Sequence, residues 1–265
     1  MDADGLSLVI PAFNEAAGIA DTLTETVAAL RSDFDRYEIL LVDDGSTDGT
    51  ADIATGMRLA GVRVIRLPQN RGYGAALRAG FQAARLPLVA FTDADGQLDP
   101  GDLRRLAEAA RPIAVGYRAD RQDPWRRRFL SRGYNRLVRA LLGTRLRDID
   151  CALKVFRRDV LADLMPESRG FFVNTEMIAR ARHLGLAVAE LPVAHRRRRA
   201  GVSKVSLAEV PKTFRTLVGY WWRERVVGPG VVARRASEGG SVLGQESVSS
   251  PGMPPPSLAR RATIR

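Results

Sequence analysis

Two aspartates one residue apart carry the first hint of chemistry in this chain of 265 residues: Asp93 and Asp95, within Phe91-Thr92-Asp93-Ala94-Asp95-Gly96-Gln97-Leu98-Asp99-Pro100. They follow the apolar run Leu88-Val89-Ala90, which reads as a strand. Residues two apart in a strand point to the same face, so both carboxylates can converge on one hard cation. Mg²⁺ or Mn²⁺ held by one or two carboxylates, with water and diphosphate oxygens filling the shell, is the usual arrangement around nucleotide substrates. The spacing alone also fits two solvated turn aspartates. Asp99 reads as a helix N-cap with Pro100 at the first helical position.

Two more acidic segments close apolar runs. Leu6 to Ile10 ends in Pro11-Ala12-Phe13-Asn14-Glu15, and Tyr37 to Val42 ends in Asp43-Asp44-Gly45-Ser46-Thr47-Asp48. Ser46 as a helix cap and Gly45 as a turn residue account for part of the second loop, but not for adjacent carboxylates at a strand tip. A carboxylate there can accept from a ribose diol or a base N–H, which makes Asp43 the preferred nucleotide contact. Gly72-Tyr73-Gly74 lacks the closing small residue of a dinucleotide fingerprint and follows the third strand, so nicotinamide and flavin are not expected. There is no Walker lysine motif, no zinc spacing of Cys and His, and no serine triad that two histidines could serve. His183 and His195 read as ordinary helix and strand-end residues.

The elements that must position these groups alternate. Strands at 6–10, 37–42, 62–67, 88–92 and 113–117 are separated by helical spacing over 16–31 and 72–85, which predicts a mostly parallel α/β sheet with helices on both faces. Ligands of such sheets bind beyond the carboxyl ends of the strands, where all three acidic segments fall. The second half is different. Residues 118–147 are arginine-rich with interleaved apolar positions, predicting a long amphipathic helix with a basic face. A short strand over 153–156, a helix over 174–183 and an edge strand over 186–193 follow. Beyond the basic run Arg196-Arg197-Arg198-Arg199, the residues Leu207, Val210, Phe214, Leu217, Val218, Trp221 and Trp222 trace one more helical stripe. Ser206 and Glu209 suggest a capping box there, with Pro211 close behind. The division expected is one catalytic domain over 1–227, with 206–224 as an interfacial helix, and a disordered tail over 228–265 rich in Gly, Ser, Pro and Arg.

A 45% hydrophobic composition supports a substantial core, and a formal charge of +11 favours anionic partners such as phosphate esters or an acidic membrane surface. Nucleic acid is not an expected partner, because the charge would be explained but the acidic strand ends would not. One cysteine, Cys151, excludes an internal disulfide and suggests a reducing compartment. No basic, apolar leader and no run of ~18 to 20 apolar residues is present, so the expectation is a cytoplasmic protein peripheral to a membrane. The basic run 196–199 could contribute roughly 4 kcal/mol at an anionic leaflet.

Pro11-Ala12-Phe13-Asn14-Glu15, Val42 to Asp48, Asn70-Arg71-Gly72-Tyr73-Gly74 and Asp93-Ala94-Asp95-Gly96-Gln97, in this order, resemble glycosyltransferase family 2 with its GT-A fold. Tyr117-Arg118, Ser131 to Asn135, Asp150-Cys151-Ala152-Leu153-Lys154, Thr175-Glu176 and Arg198 to Lys204 are similar to the dolichol-phosphate (polyprenyl-phosphate) mannosyltransferase branch. The resemblance covers about residues 5–205. It implies a nucleotide-diphosphate sugar donor and a polyprenyl phosphate acceptor, with mannose as the first expectation for the sugar. Asp93, Asp95 and Gln97 would hold Mg²⁺ or Mn²⁺, and Pro11, Asn14, Glu15 and Asp43 would surround the nucleotide. Arg118, Arg132, Arg198 and Lys204 would meet the diphosphate and the acceptor phosphate. Asp150 or Asp148 could serve as a base or orient the acceptor. The family often carries Gly-Phe before the basic residue that is Lys154 here, where this chain has Ala152-Leu153. Transfer to a hydroxyl acceptor is the alternative chemistry.

Overall fold

The computed structural model describes residues 5–110, 112–120, 125–197 and 209–227. Seven strands form one sheet: β1 Leu6–Ala12, β2 Tyr37–Asp43, β3 Val62–Arg66, β4 Leu88–Phe91, β5 Ile113–Arg118, β6 Lys154–Arg157 and β7 Val188–Val193. Eight helices lie between and after them: α1 Ile19–Asp33, α2 Thr50–Gly56, α3 Tyr73–Ala83, α4 Asp102–Ala109, α5 Trp125–Leu142, α6 Arg158–Leu161, α7 Val173–His183 and α8 Glu209–Val227. The strand order is β3-β2-β1-β4-β6-β5-β7, with β6 antiparallel to both neighbours and every other pair parallel.

The central strands are near-continuous apolar runs because helices cover them, and every residue of β1 and β4 is buried. Pro11 is tolerated inside β1 because β4 stops pairing at Val9, leaving only β2 alongside it. Helix α3 lies close on β1: a Cβ at Gly80 would come within 2.2 Å of Val9 Cγ1. β2 lies on one side of β1 and β4 on the other, so a crevice opens at the carboxyl ends between them.

Three local expectations change. Strand β6 runs against the parallel trend, inserted between β4 and β5, where Phe156 stacks on Phe91 at 6.2 Å within a cluster completed by Phe81. Helix α4 starts at Asp102 rather than at Pro100, because Asp99 Oδ1 accepts from Gly101 N in a turn that precedes it. Helix α2 starts at Thr50, and its amide is capped by Asp48 Oδ1 at 3.0 Å instead of by Ser46. Strand β7 is the sheet edge, with Pro192 exposed. The proposed tail over 228–265 and the Ser206 cap lie outside the described residues.

Candidate active site

A cavity of about 1210 Å³ opens where β1, β2 and β4 end, and Pro11, Glu15, Asp44, Asp93 and Asp95 lie on its wall. The two aspartates reach it differently from the way a strand would deliver them. β4 stops at Phe91, so Asp93 and Asp95 sit in a turn and not on a pleat. That turn is fixed from several sides. Asp95 Oδ1 accepts from Gln97 N at 3.1 Å, Gly96 takes φ 67°, and the Ala94 carbonyl accepts from Thr22 Oγ1 at 3.2 Å. Asp93 Oδ1 accepts from the Tyr73 hydroxyl at 2.9 Å. Burial and the neighbouring Asp93 charge push the Tyr73 phenol well above its ordinary pKa, so it stays a donor to the carboxylate. Tyr73 in turn packs at a tilt against Phe171, another wall residue, with ring centroids 5.1 Å apart.

The loops after β1 and β2 are laced together. Asn14, at φ 51°, donates its amide to Ser46 Oγ and accepts from Thr47 N at 2.9 Å through Oδ1. Glu15 N donates to Thr50 Oγ1 and Ala16 N to Asp48 Oδ2. Asp43 is 4% exposed, accepts from both the amide and hydroxyl of Ser46, and is absent from the cavity wall, where the neighbouring Asp44 stands instead. Asp44 grips the backbone of Arg71 and Gly72, each at 2.8 Å. Gly45 allows this approach, since a Cβ there would be 2.5 Å from the Gln69 carbonyl carbon. The sequence reading took Asp43 as the nucleotide contact; its carboxylate is engaged with Ser46 of its own turn.

Several predicted residues are elsewhere or already engaged. Arg118 forms a two-pronged pair with Asp148, Nε to Oδ2 at 2.7 Å and a terminal nitrogen to Oδ1 at 2.9 Å. Burial opposes the Arg118 charge, and the Asp148 carboxylate more than restores it, so its pKa is raised. With both partners nearly enclosed, Asp148 holds Arg118, and the Arg118 fork is not presented to the cavity. Arg132 lies exposed on α5 and Asp150 half-buried in the turn before β6, both off the cavity wall. Gln97 is off the wall too, its Nε2 donating to the Arg196 carbonyl at 3.2 Å while Arg196 N donates back to the Gln97 carbonyl at 2.7 Å. Arg196, expected to face a membrane, pairs with Glu25 and Asp99. Arg198 and Lys204 lie outside the described residues.

Other groups take the places that sequence reasoning left blank. Arg71 and Arg169 are exposed cations on the wall, and Arg78, also on the wall, donates to the carbonyls of Pro166 and Ser168. Arg71 stands within the Asn70-Arg71-Gly72 motif, so a signal existed; Arg169 has none in local pattern. The 165–172 segment that carries it is anchored by Glu176, which is 2% exposed and accepts from the amides of Glu167 and Ser168 while pairing with Arg180. As oxygen donors, Asp93 and Asp95 suit a hard divalent cation, and no group of three His, Cys, Asp or Glu poised for a metal occurs among the described residues. The remaining positions of such an ion would fall to water and phosphate oxygens, as Mg²⁺ prefers.

The family model described as Glycosyl transferase family 2 matches residues 7–165. The undecaprenyl-phosphate 4-deoxy-4-formamido-L-arabinose transferase of Edwardsiella ictaluri is 37% identical over 220 residues, covering 80% of this chain and 66% of that protein. Its counterpart in Sodalis glossinidius is 36% identical over 225 residues, covering 82% and 68%. The dodecaprenyl-phosphate galacturonate synthase of Rhizobium johnstonii is 33% identical over 225 residues, covering 80% and 64%. The chain thus spans about two thirds of the length of these relatives. Crystal structures of glucosyl-3-phosphoglycerate synthase from Mycobacterium tuberculosis share the fold. The phosphoglyceric acid complex superposes with a TM-score of 0.64 at 23% identity over 82% of this chain and 79% of that one. The complex with Mn²⁺, UDP and glucosyl-3-phosphoglycerate gives 0.64 at 23%, over 84% and 80%. With the sheet order, the acidic turn after β4 and the family match in agreement, the chain belongs to glycosyltransferase family 2 and has the GT-A fold.

Proposed function

We propose that this protein transfers a sugar from a nucleoside-diphosphate sugar to a polyprenyl phosphate, inverting the anomeric carbon. The observation that carries the reading is the Asp93 and Asp95 pair on the wall of the crevice between β1, β2 and β4, in a chain whose relatives bear polyprenyl-phosphate transferase names. Mg²⁺ or Mn²⁺ held by Asp93 and Asp95 would neutralise charge on the departing diphosphate. Pro11, Asn14, Glu15 and Asp43 shape the nucleotide end, Asp43 by holding Ser46 and Asn14 by holding the loop after β2. Arg71 and Arg169 are the wall cations best placed to meet phosphate. Arg198 and Lys204 remain candidates for the same task from the family resemblance, as does Gln97 for the metal shell.

The acceptor phosphate oxygen is anionic near neutral pH, so it attacks the anomeric carbon without first losing a proton. The new C–O bond forms as the bond to the nucleoside diphosphate breaks, and the diphosphate leaves with the electron pair. Positioning and charge neutralisation then do the catalytic work. Arg118 and Arg132 serve the acceptor side, Arg118 by pairing with Asp148 beside the turn that carries Asp150, and Asp150 orients the acceptor. The chain works on an anionic membrane surface, on its cytoplasmic face, where the acceptor resides.

Mannose is the sugar first implied by the family resemblance, while the relatives are named for a formamido-arabinose and a galacturonate. Purified protein should be incubated with Mg²⁺ or Mn²⁺, undecaprenyl phosphate, and labelled GDP-mannose or UDP-sugars including UDP-galacturonate and the UDP-formamido pentose. Label should enter the organic phase from one donor, and Asp93→Ala or Asp95→Ala should reduce transfer at least ~100-fold, about 2.7 kcal/mol of barrier. Label moving from none of the donors, or moving only to a soluble hydroxyl acceptor, would overturn the reading.

A further inference from the structure

Lys154 is wholly buried in β6, between Phe91 of β4 and Val115 of β5, where an aliphatic side chain would fit at lower cost. Its ammonium has three N–H groups and three neutral acceptors: the Ile149 carbonyl at 3.0 Å, the Cys151 carbonyl, and Asn174 Oδ1 at 2.7 Å. The Phe91 ring lies 5.4 Å away. The two carbonyls bracket Asp150. Asn174 belongs to the first turn of α7, so one ammonium joins the sheet, the 148–151 turn and a helix that borders the cavity through Phe172.

The rest of that turn is clamped as well. Ile149 N donates to Asn135 Oδ1 at 3.0 Å, Asp148 is paired with Arg118, and Glu190 Oε1 accepts from Arg147 N at 2.6 Å. Every residue flanking Asp150 is therefore held from a different element; Asp150 itself is half-buried, and its charge adds to burial in raising the Tyr134 phenol pKa. Rigid support behind one carboxylate is what a precisely placed functional group requires.

We propose that Lys154 is a positioning residue that fixes Asp150 for the acceptor side of the reaction, by clamping the carbonyls on either side of it to the start of α7. The proposal rests on the sugar-transfer reading. It predicts that Lys154 acts through Asp150, which a merely structural lysine would not.

The test compares Lys154→Met, Asp150→Asn and the double variant, with Asn174→Ala as a milder lesion that leaves the lysine two acceptors. Circular dichroism and melting first select folded variants. Hydrogen exchange without substrate should show amides 149–151 opening at least ~10-fold faster in Lys154→Met or Asn174→Ala, with the remaining sheet unchanged. In the transfer assay Lys154→Met should lower kcat ~10-fold with donor KM within ~2-fold, and should add less than ~2-fold loss in the Asp150→Asn background. Unchanged exchange at 149–151, or the same kcat loss in both backgrounds, would overturn the proposal. If Lys154→Met does not fold, Asn174→Ala is read by the same two criteria. Failure of the wild-type protein to transfer any sugar would remove the parent reading, and faster exchange would then leave Lys154 a structural clamp without the acceptor role.

Discussion

At the scale of single residues, the acidic pair depends on groups that the motif does not contain. Tyr73 holds Asp93 through a 2.9 Å hydrogen bond and is itself braced by Phe171. Tyr73→Phe keeps the ring and removes only the donor, so Asp93 should lose orientation while the fold is retained. One charge-assisted hydrogen bond at about 1.5 kcal/mol corresponds to a ~10-fold rise in the metal concentration for half-maximal transfer, measured by titrating Mg²⁺ or Mn²⁺. Lys154 gives a second prediction, on stability. Burial lowers its pKa to about 8, against the opposing pull of Cys151, Asp150 and Asp148 and with the Arg118 charge adding to the depression. Between that value and the ordinary lysine range the unfolded chain binds more protons than the folded one, so this group's contribution rises with pH across the window and is lost as pH falls through about 8. The difference is on the order of 3 kcal/mol. Urea unfolding at several pH values should show the slope in wild type and lose it in Lys154→Met.

At the scale of elements, the cavity depends on loops being held shut against helices. Glu176 is the anchor: its two oxygens accept from Glu167 N at 2.8 Å and Ser168 N at 2.9 Å, and Arg180 closes the pair from one turn away. The loop then reaches α3, where Gly74 N donates to the Arg169 carbonyl at 2.8 Å and a Cβ on Gly74 would meet the Ser168 carbonyl at 2.0 Å. Glu176→Ala would leave the enclosed Arg180 without its buried charge partner, only the exposed Glu167 remaining, at a cost of about 3 kcal/mol, visible as a lower midpoint in urea unfolding. None of this chain of support shows in local pattern. Strands β1, β2, β4 and β5 were legible because buried strands are mostly apolar runs, β3 because its valines and isoleucine are β-branched, and the crevice was legible because three of those runs end in acids. The reversed direction of β6, the Arg118–Asp148 pair and the Arg196 pairing with Glu25 and Asp99 arise from contacts between distant segments. A basic run such as 196–199 reads as solvated until a carboxylate from α1 is brought beside it.

At the scale of the whole molecule, charge and exposed apolar surface gather on the same elements. Phe214, Val218 and Trp222 of α8 are 50%, 37% and 61% exposed, while Leu217 and Tyr220 on the opposite face are buried, the latter against Phe172. The apolar stripe read from the sequence therefore splits into an inner and an outer face. Helix α8 packs on α5, whose Arg128, Arg132, Arg136 and Arg139 are exposed along one side, with Phe129 exposed beside them. Thr213 and Thr216 of α8 line the cavity, so the helix that shows an apolar face outward also borders the site. No helix among the described residues is long and apolar enough to cross a membrane. Against an anionic leaflet, four arginines at ~1 kcal/mol each and roughly 2 kcal/mol from inserting Phe214 and Trp222 would give a surface-bound state that salt weakens. The double variant Phe214→Glu/Trp222→Glu replaces outward side chains, so its melting temperature should stay within a few degrees of wild type. Its flotation with phosphatidylglycerol vesicles should fall at least ~10-fold, and wild-type flotation should fall in high salt and on phosphatidylcholine alone. Equal flotation of the variant and wild type would assign binding to the arginines and leave α8 without a membrane role. Absence of wild-type flotation at low salt would remove the surface altogether, and the acceptor would then have to reach the cavity as a dispersed lipid.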